Sequence, residues 1–380
     1  MDKFPNDPIF TKLLELRDSA EGVLIHDDYG IDATLEDLLY DIIGLREDLR
    51  RKLPAAWFDA RGFLTPDADR IATISLSGYY FLVGLFAIAA LGGTCVVLPT
   101  THAASAPQPD EALKVLRMAD AVYLLTEPNA TREVAVLREA APDIHTIPIK
   151  RRQRQGPNGG SEIEFEIDES LIIDPLRPCA VIATSGSTTG EPKCVLVPRQ
   201  TFFFDYSDSK SSDSNSEESF NSDLAESSRI FLAYRSVHWM GGCVGLLARL
   251  LNGVKIHWPL RRRDPGMFWE IFKQGIITDI SFPPSLFKSL EEYYHSSIRT
   301  LPDDQHEAFV AGARMLQHGM VSGSTMDPGT ARFWMDLTGM KILYVYGSTE
   351  LGGSALKTDV DAPYLDVGGL PEYPTIQTPY

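Results

Sequence analysis

Paired cysteines, a surplus of positive charge and a cleavable leader are all missing from this 380-residue chain. The four cysteines, Cys95, Cys179, Cys194 and Cys243, stand far apart, without the C-x-x-C spacing that zinc sites and dithiol centres need. That pattern points to a reducing compartment, the cytoplasm. Thirty-five Lys and Arg against 52 Asp and Glu leave a net charge of −17, which repels a phosphate backbone over most of the surface and argues against nucleic acid as a partner. The N-terminus is acidic and carries neither an apolar core nor an Arg-rich amphipathic stretch, and the final Thr378-Pro379-Tyr380 is no peroxisomal address. Long apolar runs are scarce too. The single candidate, Tyr79 to Leu98, is uncharged and nearly bilayer-length, but Gly92 and Gly93 split it. A buried helix, a glycine turn and a short strand through Cys95-Val96-Val97-Leu98 are expected there rather than a membrane span.

What is present is ample core material. With 44% hydrophobic residues, the length predicts two or three compact units. Thr34 and Asp37 form a capping-box variant opening a helix through about Arg50, with Leu35, Leu38, Leu39, Ile42, Leu45 and Leu49 on one face. A strand at Arg70–Leu76, a helix at Glu111–Met118 and a strand at Ala121–Leu125 continue the alternation. Strands alternating with helices predict a layered α/β domain with a mainly parallel sheet. Lys150–Gly160, basic and glycine-rich, reads as a solvated connector. Tyr206–Ser228, crowded with Ser, Asp and Glu, reads as a flexible acidic insertion.

Chemistry concentrates in two places. The first is Ala180-Val-Ile-Ala-Thr184-Ser185-Gly186-Ser187-Thr188-Thr189-Gly190-Glu-Pro-Lys193, an apolar strand running into small hydroxyl and glycine residues and then a lysine. Glycines let backbone N–H groups converge on an anion, the hydroxyls add donors, and Lys193 adds charge. The spacing is not that of a Walker A loop. Apolar residues on both flanks, including Cys194-Val195-Leu196-Val197, embed the loop at a sheet edge, where α/β proteins bind ligands. The second is Lys341-Ile-Leu-Tyr-Val-Tyr346-Gly347-Ser348-Thr349-Glu350, a strand delivering an aromatic face, a hydroxyl and a carboxylate at one turn.

The first segment resembles the T-S-G-[ST]-T-G-x-P-K-G phosphate signature of the adenylate-forming superfamily, which includes acyl-CoA synthetases, adenylation domains of nonribosomal peptide synthetases, and luciferases. It carries one extra residue, Thr188 or Thr189, and Cys194 in place of the usual glycine. Further motifs follow in the family's order. His238-Trp239-Met-Gly241 resembles the H-x-x-G segment bordering the acyl pocket, Val321-Ser-Gly323-Ser324-Thr325 the turn that holds adenine, and Val367-Gly-Gly-Leu-Pro371 the V-G-x-P element.

This resemblance implies the layered N-terminal domain of such enzymes, built of two αβ subdomains with mainly parallel sheets. They are expected at residues 1–178 and 179–380, with the barrel subdomain and the mobile C-terminal domain largely absent. It also implies an acid–thiol ligase using ATP, Mg2+ and CoA. Catalysis is assigned to Lys193, Thr349 and Glu350, and the metal to Glu350. Nucleotide contacts fall to Thr184, Ser185, Gly186, Ser187, Thr188, Thr189, Gly190, Lys193, Gly323, Ser324, Thr325, Tyr346, Gly347, Ser348 and Thr349. His238, Trp239, Gly352 and Gly353 are expected to line the pocket for a small carboxylic acid.

Three readings remain open on sequence. One is a shortened acyl-CoA ligase, active alone or completed by a separate chain that supplies the C-terminal domain. Another is a non-catalytic nucleotide- or acyl-binding remnant with a regulatory role. The last is an adenylation domain of a carrier-protein system.

Overall fold

A computed structural model describes residues 3–100, 109–152, 165–184, 186, 192–203, 228–260 and 264–358. The chain divides into two compact units, the first formed by Met1–Phe204 with Ser236–Gly253 and the second by Asp205–Arg235 with Val254–Tyr380. The boundary expected at residues 178 and 179 therefore moves, for reasons the sheet pairing supplies.

In the first unit the elements run β1 (Lys3–Asn6), α1 (Pro8–Glu15), β2 (Ile25–Asp27), β3 (Ile31–Ala33), α2 (Leu35–Lys52), β4 (Arg70–Ile74), α3 (Gly78–Ala90) and β5 (Thr94–Val97). They continue as α4 (Pro109–Met118), β6 (Tyr123–Thr126), α5 (Thr131–Ala140), β7 (His145–Pro148), β8 (Glu166–Ile172), β9 (Pro178–Ala183), β10 (Cys194–Pro198), α6 (Gln200–Phe203) and later α7 (Met240–Leu251). Six strands form one sheet in the order β10-β9-β5-β4-β6-β7. All neighbours are parallel except β10, which folds back antiparallel on β9. Because β9 pairs with β5, and β10 with β9, the hairpin carrying the glycine- and hydroxyl-rich loop completes the first sheet instead of opening a second one. Helix α7 returns to this unit by packing on α1 and α6.

Local signals in the sequence are realised closely. The Thr34 hydroxyl accepts from Asp37 N at 3.2 Å, and the Asp37 carboxylate accepts from Thr34 N at 3.0 Å, which fixes the start of α2. The apolar run becomes α3, buried along its whole length, then a turn with Gly92 at φ +70° and the buried β5. Among the described residues no helix is long and apolar enough to cross a membrane.

Polar groups inside this unit are held by specific partners. Arg199, fully buried, donates to Asp7 Oδ2 at 2.6 Å and to the carbonyls of Ala89 and Gly93. At the other end of α3, the Ser77 hydroxyl caps the helix at Tyr80 N and donates to Asp27 Oδ2 at 2.6 Å. Beside it, Glu127 Oε1 accepts from Leu76 N at 2.8 Å and Ser77 N at 3.1 Å, whereas Oε2 has no hydrogen-bond partner among the described residues. Glu127 is 4% exposed, and this burial, reinforced by the charges of Asp27 and Glu133, pushes its pKa up to about 8.

The second unit contains β11 (Ile230–Leu232), β12 (Lys255–Trp258), α8 (Pro265–Lys273), β13 (Asp279–Phe282), α9 (Pro284–Ser296), α10 (Asp303–Ala313), β14 (His318–Ser322), α11 (Pro328–Thr338), β15 (Lys341–Ser348) and β16 (Gly353–Lys357). Its strands lie in the order β16-β15-β14-β13-β11-β12, parallel throughout except for the β15–β16 hairpin. The core is aromatic. Trp269 and Trp334 stack at 5.6 Å, and each indole N–H reaches a helix α9 carbonyl, of Leu290 and Phe287 respectively, so neither polar tip is left unsatisfied.

Candidate active site

In an open parallel sheet, ligands bind beyond the carboxyl ends of the strands. The segments that follow β9 in the first unit and β14 in the second, and the one that ends β15, lie there, whereas the V-G-x-P element at residues 367–371 falls outside the described residues. In the first unit, β9 ends at Ala183 and the loop begins. Its ends are tied by two hydrogen bonds between the same residues: Thr184 N donates to Lys193 O at 2.8 Å, and Lys193 N donates to Thr184 Oγ1 at 3.2 Å. The Thr184 hydroxyl thus holds the mouth of the loop shut. Gly186, at φ +64°, takes the left-handed turn that a side chain would strain. The Lys193 side chain is exposed and forms no ion pair with any described residue, so its ammonium is available to an anion. Ser185, Ser187, Thr188, Thr189 and Gly190 lie outside the described residues.

His238 and Trp239 also belong to the first unit. Their rings sit 5.3 Å apart at the start of α7, where the Trp239 carbonyl accepts from the N–H groups of Gly242 and Cys243. Trp239 is 45% exposed, an unusual position for the largest apolar side chain unless something covers it. Phe202, in α6, is buried.

In the second unit, β14 ends at Ser322 and Gly323 follows at φ +99°, presenting Ser324 and Thr325 to solvent. The adjacent strand β15 carries Tyr346, Gly347 and Ser348, with a register shift between Tyr346 and Gly347. Tyr346 is 65% exposed, so one face of its ring is open for stacking. Beyond Ser348 the hairpin turns through Thr349, Glu350, Leu351 and Gly352, closed by Gly352 N donating to Thr349 O at 3.1 Å. Gly352 and Gly353 have φ of +76° and +135°, which explains the paired glycines. The Glu350 carboxylate is exposed and makes no ion pair or hydrogen bond with a described residue. An exposed carboxylate of this kind is a ligand type suited to Mg2+ on a polyphosphate.

One charged residue at this edge escaped the sequence reading. Arg235 follows β11, and its guanidinium donates through Nε to Ser281 Oγ at 3.3 Å and through Nη2 to Ser322 O at 3.2 Å. In sequence it is one basic residue after a short apolar strand, with no signal beyond that position.

Comparison with known proteins turns on one match: residues 52–374 fit the sequence profile of the AMP-binding enzymes. The chain belongs to that family. The chain is similar to the acyl-CoA ligase oryP of Aspergillus oryzae, 26% identical over 356 residues that cover 92% of this chain and 58% of the relative. It therefore spans less than two thirds of that ligase's length.

Among solved structures it is similar to the o-succinylbenzoate CoA synthetase MenE of Bacillus subtilis in complex with ATP and magnesium ion. That likeness has a TM-score of 0.63 at 15% identity and covers 92% of this chain and 62% of that one. It is also similar to the N-terminal subdomain of Klebsiella oxytoca NpsA in complex with 3-hydroxybenzoyl-AMSN, with a TM-score of 0.62 at 14% identity, over 93% of this chain and 75% of that one. At these identities the likeness establishes the fold, the α/β N-terminal domain of adenylate-forming enzymes with mainly parallel sheets.

Proposed function

We propose that this AMP-binding enzyme activates a small carboxylic acid with ATP and passes the acyl group to a thiol, coenzyme A being the acceptor. A carboxylate oxygen of the acid attacks the α-phosphorus, the bond to the bridging oxygen breaks, and pyrophosphate leaves with its electron pair. A thiol then attacks the acyl carbon and AMP departs. No covalent help from the protein is needed, so rate comes from positioning and charge neutralisation. Lys193 and the loop around it hold the outer phosphates, the Thr349 hydroxyl donates to the α-phosphate, and Tyr346 stacks on the purine beside Gly323, Ser324 and Thr325. Glu350 would hold magnesium, which when bound would spread the charge developing on the phosphates. His238, Trp239, Gly352 and Gly353 border the acid.

The observation that carries this reading is the pair of hairpins at strand carboxyl ends. One offers the Lys193 ammonium and the other the Glu350 carboxylate, each without an ion-pair partner among the described residues. Calorimetry with ATP and Mg2+ tests it. Lys193→Ala and Glu350→Ala should each weaken binding about 10- to 100-fold, the value of a charge-assisted contact. The double variant should lose less than the sum if both residues act on one nucleotide. An unaltered chain with no ATP affinity would rule the reading out. Acid-dependent exchange of pyrophosphate into ATP then separates a ligase from a binding protein that has lost its chemistry.

A further inference from the structure

The backbone of Lys193 is tied to one residue. Lys193 stands immediately before β10, the edge strand of the first unit's sheet, so among the described residues only the β9 side can hold it. Both of its backbone groups go to Thr184. The Lys193 carbonyl accepts from Thr184 N at 2.8 Å, and Lys193 N donates to the Thr184 hydroxyl at 3.2 Å.

The register of the hairpin makes these two residues the next facing pair after Ala183 and Cys194. In an antiparallel ladder a hydrogen-bonded pair exchanges two backbone bonds, N–H to carbonyl in each direction. Here the second bond runs to the side chain, the Thr184 hydroxyl standing in for the Thr184 carbonyl. The two arms are thereby held one residue beyond the last strand pair, although the chain turns left-handed at Gly186, only two residues further on. Serine or threonine can serve as this acceptor. Valine has the shape of threonine without the oxygen.

The consequence falls on an exposed side chain. An ammonium on a four-carbon stem loses freedom when it settles on an anion, and the loss is larger if the backbone beneath it is loose as well. The end of an edge strand, paired on one side only, is where a sheet frays first. With its backbone tied to Thr184, Lys193 has only its stem left to order. On the proposed contact between Lys193 and the outer phosphates of ATP, we infer that Thr184 is a positioning residue, whose hydroxyl fixes the Lys193 backbone and acts through the lysine rather than by touching the nucleotide. That role differs from the nucleotide contact its place in the motif implies. It also confines the effect of Thr184 to ligands that carry the outer phosphates.

The test is calorimetry of the full chain with ATP and Mg2+ and, separately, with AMP, which has no outer phosphates. Thr184→Val should weaken ATP binding about 3- to 10-fold, the worth of one neutral hydrogen bond, and leave AMP binding unchanged. Thr184→Ser, which keeps the hydroxyl, should bind ATP like the unaltered chain. In a Lys193→Ala background, Thr184→Val should cost less than about twofold, because no ammonium remains to be placed. A loss of full size in that background is what a direct bond from the hydroxyl to a phosphate gives, and it overturns the inference. So does ATP affinity untouched by Thr184→Val, an equal loss in Thr184→Ser, or a parallel fall in AMP affinity, which marks general damage to the unit. Failure of the unaltered chain to bind ATP sinks the adenylation reading and this one together, whereas ATP binding indifferent to Thr184→Val sinks this one alone.

Discussion

Replacing Glu127 with Gln should convert a pH-sensitive first unit into one markedly less so above neutrality. The carboxyl is protonated in both folded and unfolded chains below its ordinary value of 4.5, where its contribution to stability is complete. As pH rises through 4.5 the unfolded chain ionises and is favoured, while the folded chain keeps its proton until about 8. Stability is therefore lost across that window, at up to about 1.4 kcal/mol per pH unit and about 5 kcal/mol in full. The cause is structural. Oε1 has two backbone donors, but Oε2 has none among the described residues, and Asp27 and Glu133 add negative charge nearby. A glutamine side chain keeps an oxygen for Leu76 N and Ser77 N and does not titrate. Urea unfolding at pH 5, 6, 7, 8 and 9 reads the difference. The Glu127→Gln variant should match the parent within about 1 kcal/mol at pH 5 and exceed it by about 3–5 kcal/mol at pH 9. Parallel stability curves for the two proteins would show that the carboxyl is not held neutral, and the account of its burial would be wrong.

Other perturbations follow from single contacts. Asp7→Ala strands the fully buried Arg199 cation and removes the cap that Asp7 Oδ1 gives Ile9 N, and should cost about 3–5 kcal/mol in urea unfolding; Asp7→Asn, which keeps the cap, should cost less. Gly312→Ala places a methyl 2.3 Å from Phe272 O and 2.6 Å from Lys273 Cα, so α10 must move off α8, at about 3 kcal/mol. Gly339→Ala meets no atom within 4 Å but sits at φ +75°, and should cost only about 1 kcal/mol. Equal losses at the two glycines would refute the packing explanation.

Much of this was legible in the sequence because its causes are local. The capping pair Thr34 and Asp37, the uncharged run that became α3, and Gly92 at its turn each act over a few residues. The loop before Lys193 and the turn at Glu350 were readable for the same reason, since a strand followed by glycines and hydroxyls declares its own geometry. The division of the chain was not. It depends on β10 folding back onto β9 and on α7 packing against α1 and α6, contacts between residues far apart in sequence. Arg235 and Glu127 were missed on similar grounds. A sequence shows that a residue can carry charge, but whether the charge is answered depends on what the fold brings beside it, and Ser281, Ser322, Leu76 and Ser77 come from other elements.

The return of α7 to the first unit bears on how the protein is made. During synthesis that unit cannot finish when residue 204 leaves the ribosome, because the helix seated on α1 and α6 ends only at Leu251. By then the first strand of the second unit, β11, has already emerged. A nascent chain halted at about residue 230 should expose the apolar faces of α1 and α6 and be easily cleaved by protease, and release of some 25 further residues should protect it.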